Sequence, residues 1–169
     1  GAVVLKAVDI NTEDVTGDLV GHERGIIDSN IYNDGTGASV LTGGRRFSDS
    51  CSTDIFIHMD GQEVFKFAVK SVPTAIETLL HNNNMDINDV DKFILHQANV
   101  RIIESVAKRL KADKDKFPVN LNEYGNTSSA SIPILLDELN RNGSLKQGEK
   151  LVLAGFGAGF SWGSILLVW

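Results

Sequence analysis

One cysteine among 169 residues leaves no partner for an internal disulfide and no repeated spacing for a structural zinc site. That residue, Cys51, sits in SDSCSTD, where neighbouring acids disfavour the thiolate, so it makes a poor nucleophile. Positive charge is also short. With 16 Lys and Arg against 22 Asp and Glu, the net charge of −6 argues against broad nucleic-acid binding, which needs a basic surface to neutralise phosphates. An anionic partner would have to be met by a local patch. No run approaches the roughly 20 consecutive apolar residues of a membrane span, so a cytoplasmic, membrane-free setting is expected. The first residue is Gly1, and the β-branched run that follows has neither an initiator methionine nor a charged leader before it. The start therefore reads as internal to a longer chain.

Apolar residues make up 42% of the chain, enough for one core in one domain of ordinary size. Ala2 to Val8 reads as a strand, the acidic stretch NTEDVTGD as a loop, and a boundary is placed near Gly21 to Arg24. GIIDSNIYNDGTGASVL carries two apolar segments around an Asn-Asp-Gly turn signal. From Gln62 to His81, Phe65, Ala68, Val69, Val72, Ile76, Leu79 and Leu80 recur at helical spacing. Pro73 falls inside this helix, where a lost amide donor and a steric clash cost about 3 kcal/mol and predict a kink.

KFIL, residues 92–95, is a short buried strand. A second helix then shows Val100, Ile103, Val106, Ala107 and Leu110 on one face and Arg101, Lys108 and Arg109 on the other. A third carries Ile132, Leu135, Leu136 and Leu139 and stops at Asn142-Gly143. The last residues, KLVLAGFGAGFSWGSILLVW, give two apolar strands around a glycine-rich corner. Helices alternating with buried strands indicate a layered α/β fold with a mixed sheet.

Three polar elements lie where apolar segments end: His96 after FIL, Asn126 in YGNTSSAS, and the corner GFGAGF. Strand ends in α/β folds gather functional groups. An imidazole, an amide and backbone N–H groups together could bind a developing oxyanion or enolate at a thioester or similar carbonyl. Each also has a plainer explanation. A histidine after a strand is commonly a hydrogen-bonded structural residue, Asn126 is a good helix N-cap, and the corner could be only a tight turn. The basic face could be a solvated surface in which Glu104 and Lys108 pair across one helical turn.

Taken in order, LHQANVRII, NEYGNTSSASIP and GFGAGFSWGS resemble the C-terminal half of β-ketoacyl-acyl-carrier-protein synthase III, a condensing enzyme of thiolase-like fold. The resemblance extends upstream through GQEVFKFAV, SNIYNDGTGASVL and GAVVL. It implies that residues 1–22 hold the last strand of an N-terminal half plus a connector, and that residues 23–169 form the C-terminal half. It further implies that His96 and Asn126 are catalytic and complete their triad with a cysteine from the missing N-terminal half. The expected substrates are an acyl-CoA and malonyl-acyl carrier protein, with no cofactor and no metal.

By the same resemblance Phe156, Gly157 and Ala158 form the loop of a second oxyanion hole. Ala158 stands where members often have glycine, and alanine resists positive φ. Lys66, Arg101, Lys108 and Arg109 would receive acyl carrier protein, while Phe65 and Asn99 would flank a pantetheine tunnel. The intact protein is expected to be a homodimer, and this chain alone inactive. A related polyketide or alkylquinolone synthase and a non-catalytic carrier-docking module are the competing readings.

Overall fold

The computed structural model describes residues 24–43 and 57–169, together with Val4. Apart from Val4, the strand expected at Ala2 to Val8 lies outside these residues, as do the connector to residue 22 and Cys51. In chain order the elements are β1 (Gly25–Asn33), β2 (Leu41–Gly43), β3 (Ile57–Met59), α1 (Gly61–Asn82), β4 (Lys92–Leu95), α2 (Val100–Leu110), α3 (Leu121–Tyr124), α4 (Ser131–Arg141), β5 (Lys150–Gly157) and β6 (Ser161–Val168).

Four strands form a sheet in the order β1-β6-β5-β4. Only β4 and β5 run parallel; β5 with β6 and β6 with β1 are antiparallel, so the sheet is mixed as expected. Parallel neighbours need a long crossover, and here it runs through α2, α3 and α4. A small second sheet pairs β2 with β3.

Successive side chains on a strand point to opposite faces. On β4 and β5 both faces are apolar, so each strand feeds two cores. Phe93, Leu95, Val152, Ala154 and, from β6, Leu166 pack with Ala68, Val72, Ile76 and Leu79 of α1 and Ile103 and Val106 of α2. Ile94 and Leu151 pack on the other side with Leu135 and Leu139 of α4. Helices therefore cover both faces of the β4–β5 pair, which explains why KFIL and LVLA read as continuous apolar runs. Each fully buried Leu, Ile or Phe contributes about 1.5–3 kcal/mol, so these shared strands carry much of the fold.

Helix α1 starts where the Asp60 carboxylate accepts the N–H groups of Gln62 (3.0 Å) and Glu63 (3.1 Å). Such a cap satisfies donors that have no partner in the helix. Pro73 does not divide the helix, which runs unbroken for 22 residues with the proline ring buried. Helix α2 is capped by Asn99, whose Oδ1 accepts the N–H of Arg101 at 2.9 Å. It stops at Lys111 in left-handed conformation (φ 54°). No helix among the described residues is long and apolar enough to cross a membrane.

Candidate active site

His96 directly follows β4, and its N–H continues the ladder by donating to the carbonyl of Ala154 (2.9 Å). The backbone is thus fixed by the sheet, and the side chain leaves from the strand end. The imidazole is half-buried, its Nδ1 lies 2.7 Å from the hydroxyl of Ser131, and its ring meets Phe156 edge to face. Burial holds its pKa below the ordinary value of 6.5, so the ring is neutral at pH 7.

A buried polar tier supports it. Gln97, fully buried, donates through Nε2 to the Leu95 carbonyl and accepts the N–H of Asn120 at its Oε1. Its own N–H donates to Ser131 Oγ (3.2 Å), and Asn120 Nδ2 donates to Glu138 Oε2 on α4 (2.7 Å). The start of α4 and the segment after β4 are therefore tied together by hydrogen bonds whose members all have partners, the arrangement that holds a polar group rigidly inside a core.

Asn126 lies in the exposed segment between α3 and α4. Its Oδ1 accepts the N–H of Ser128 (3.0 Å), a local turn bond that orients the carboxamide. The oxygen is used within the turn, and among the described residues Nδ2 has no acceptor, which leaves it as a donor. Thr127 beside it has a buried Oγ1 without a hydrogen-bond partner among the described residues.

Phe156 and Gly157 end β5, and Ala158 opens the turn to β6. Ala158 escapes the conformational problem expected of it, because the positive φ of this corner falls on Gly159 (141°). Aromatic packing holds the corner. Phe160 stacks on Phe67 of α1 with centroids 4.0 Å apart, Trp162 meets Phe67 edge-on at 5.2 Å and stacks with Tyr32 of β1 at 5.5 Å. The N–H of Asp34 also donates to the Phe160 carbonyl (2.7 Å).

Arg101, Lys108 and Arg109 are exposed on α2, with no ion pair among the described residues. The Arg101 guanidinium lies 5.8 Å from the ring centroid of Phe65 on α1, which joins the expected tunnel residue to the basic face. Lys66 is instead engaged by Glu63 at 2.7 Å. The pairing of Glu104 with Lys108 that a purely solvated helix would favour is not formed. Asn99 serves as the α2 cap described above.

A surface groove of about 680 Å³ is lined by Tyr124, Pro133, Ile134, Asp137, Glu138, Arg141 and Asn142. It contains none of the expected site residues. Among the described residues no cluster of His, Cys, Asp and Glu could hold a metal ion. Ser131 and Gln97, which carry His96, were not singled out by sequence reasoning. Their one signal is a serine at the start of an amphipathic helix and a glutamine flanking the histidine.

Residues 80–169 match the family model described as 3-oxoacyl-[acyl-carrier-protein (ACP)] synthase III C terminal. The chain is 43% identical over 162 residues to β-ketoacyl-[acyl-carrier-protein] synthase III of Clostridium tetani, covering 88% of this chain and 48% of that protein. Its fold superimposes on 3-oxoacyl-[acyl-carrier-protein] synthase III from Aquifex aeolicus with a TM-score of 0.80 at 36% identity, over 88% of this chain and 46% of the other. A priming β-ketosynthase from a polyketide biosynthetic pathway gives 0.75 at 34% identity, over 85% and 45%. The chain spans about half the length of the curated relatives it matches. The layered architecture is thus one half of the thiolase-like fold, and the matched region takes in β4, His96, Asn126 and the glycine corner. On this agreement of motif, architecture and sequence, the chain belongs to the 3-oxoacyl-[acyl-carrier-protein] synthase III family and corresponds to its C-terminal half.

Proposed function

We propose that this chain supplies the enolate-stabilising donors of a decarboxylative condensing enzyme that joins an acyl-CoA primer to malonyl-acyl carrier protein. The observation that carries this reading is the neutral His96, fixed through Nδ1 at a strand end with Nε2 left unengaged among the described residues. Asn126, with its amide nitrogen available, is the second donor.

In the reaction, a cysteine thiolate from the N-terminal half attacks the acyl-CoA carbonyl and the CoA thiolate leaves. The malonyl carboxylate departs as CO₂, and its bonding electrons pass into the thioester as an enolate. Hydrogen bonds from His96 and Asn126 stabilise the charge on the enolate oxygen. They strengthen as charge develops, which lowers the barrier rather than only tightening binding. The enolate carbon then bonds to the acyl carbon, the cysteine thiolate is released, and the β-ketoacyl chain stays on the carrier. Ala158 and Gly157 serve the acyl-cysteine oxyanion.

Arg101, Lys108 and Arg109 form the docking face for acidic acyl carrier protein, with Phe65 and Asn99 at the mouth of the pantetheine path. Lys66 contributes less, since Glu63 already offsets its charge. The intact protein acts in the cytoplasm as a homodimer, and this chain alone is inactive for want of the cysteine.

The likeness to a polyketide priming β-ketosynthase supports a second reading, in which the same donors serve a different primer. The test uses the full-length protein that carries this chain, with acetyl-CoA and malonyl-acyl carrier protein. His96→Ala and Asn126→Ala should each reduce condensation by about 100-fold or more. Condensation undiminished in both would sink the assignment.

A further inference from the structure

Ser131, the first residue of α4, is only 2% exposed. Its Oγ has two neighbours, the N–H of Gln97 at 3.2 Å and Nδ1 of His96 at 2.7 Å. We propose that Ser131 sets the tautomer of His96, donating its hydroxyl proton to Nδ1 so that the ring proton stays on Nε2.

Proton counting decides the direction. A backbone N–H can only donate, so Gln97 occupies one lone pair of the serine oxygen. Were His96 to carry its proton on Nδ1, the hydroxyl would accept twice, and its own hydrogen would be buried without an acceptor. That arrangement is costly inside a core. With Oγ–H donating to Nδ1, every proton has a partner, and Nε2 becomes the N–H end of the ring.

The serine cannot readily turn away from this task. Gln97, whose N–H fills the other side of Oγ, is itself held by the Leu95 carbonyl and the Asn120 N–H. Asn120 ties back to Glu138, two turns along α4 on the face of Ser131. Helix α4 is thus fastened to the segment after β4 at two points. Ser131 is a positioning residue: it acts through His96 and determines which nitrogen faces the thioester. This rests on the reading of His96 as an enolate donor.

The test compares the full-length protein with its Ser131→Ala and Ser131→Thr variants, all labelled with ¹⁵N at histidine. Long-range proton–nitrogen spectra identify the tautomer, and a His96→Gln sample assigns the signal. The parent should show His96 with its proton on Nε2, Ser131→Ala should show mixed or reversed tautomers, and Ser131→Thr, which keeps the hydroxyl, should restore the parent pattern. In parallel, kcat for malonyl decarboxylation should fall at least about 10-fold in Ser131→Ala with KM little changed, since losing the partner that sets a histidine's tautomer can cost up to about 10⁴-fold.

A parent with its proton on Nδ1, or a Ser131→Ala protein that keeps the Nε2 proton and full kcat, overturns the inference while leaving the assignment of His96 intact. Dependence of the tautomer on Ser131 supports the inference even if His96→Ala condenses normally, an outcome that would remove the catalytic reading alone.

Discussion

Phe156 meets His96 edge to face, with ring centroids 5.5 Å apart and planes inclined at 71°. The contact links two parallel neighbours where β4 stops: Leu95 is paired with Ala154, the chain leaves the sheet at His96, and β5 runs on through Phe156 against β6. It also covers one side of the imidazole with apolar surface, and burial is the cause of the lowered pKa of His96. Phe156→Ala should therefore raise that pKa toward 6.5. A proton NMR titration of His96 measures it. An unchanged or further lowered value would show that the desolvation comes from elsewhere.

Acid stability follows from the same burial, with its sign determined by which state binds the proton. Below about pH 6.5 the unfolded chain protonates this histidine, while the folded chain refuses the proton until a lower pH. Stability should fall as pH drops through that window and stay level just above it. Glu149 opens a second, more acid window. Burial works to raise its pKa, but the Lys92 ammonium at 2.7 Å and the Lys146 N–H outweigh it and hold the carboxyl below its ordinary 4.5. The stabilisation from that pair is present above about 4.5 and is lost as pH falls through the lower folded value. Urea midpoints from pH 7.5 to 3.5 should show both declines, and His96→Gln should flatten only the first.

The elements were more legible than their partners. Helical spacing placed α1 within a residue of its ends, since an apolar face repeats every three or four positions and α1 buries it along its length. KFIL and the terminal strands read correctly because strands covered on both faces lose the polar alternation. The partner of β1 was not legible. An Asn-Asp-Gly turn signal marks where the chain leaves this strand, yet β1 pairs with β6, and Asn33 meets Ser161 across 128 positions. Local turn chemistry carries no information about so distant a neighbour.

The same limit hid Ser131, which touches the N–H of Gln97 from 34 positions away. His96 and Asn126 stood out as polar residues where apolar segments end, but only motif resemblance gave them a role beyond a structural one. The hydroxyl on His96 Nδ1 comes from 35 positions away and depends on how α4 docks, whereas the turn bond on Asn126 Oδ1 is local. The positive φ expected to trouble Ala158 fell on Gly159, one position along, which the order of residues in the corner does not reveal.

Gly37 marks a second place where backbone approach matters. It is buried in the short turn after β1, and a Cβ there would collide with the Phe160 ring, lying 2.6 Å from Cε2 with Cδ2 nearer still. That ring cannot swing aside, because it is stacked on Phe67 and its own carbonyl receives the Asp34 N–H. Gly37→Ala should destabilise the chain by about 1–3 kcal/mol, the usual range for overpacking a close-packed site. A urea midpoint unchanged from the parent would mean that the turn can move. Gly35→Ala is the control, since nothing lies within 4 Å of a Cβ at that position.

Asn126 allows folding and chemistry to be separated by one atom. Its Oδ1 accepts the Ser128 N–H, and an aspartate offers an oxygen in the same place, so Asn126→Asp keeps the turn that positions the residue. The other half of the side chain changes completely. An amide that donates becomes a carboxylate that only accepts, and a full negative charge stands where the proposed enolate forms. The residue is exposed, so thermal stability should stay within about 0.5 kcal/mol of the parent. Malonyl decarboxylation by the full-length protein should drop about 100- to 1000-fold, the scale of losing one preorganised donor, with repulsion adding to it. Asn126→Ala should lose the turn bond as well, and so some stability, while retaining more activity than the aspartate variant because it adds no charge. Equal activity in Asn126→Asp and the parent would remove Asn126 from the reaction and leave His96 as the sole donor.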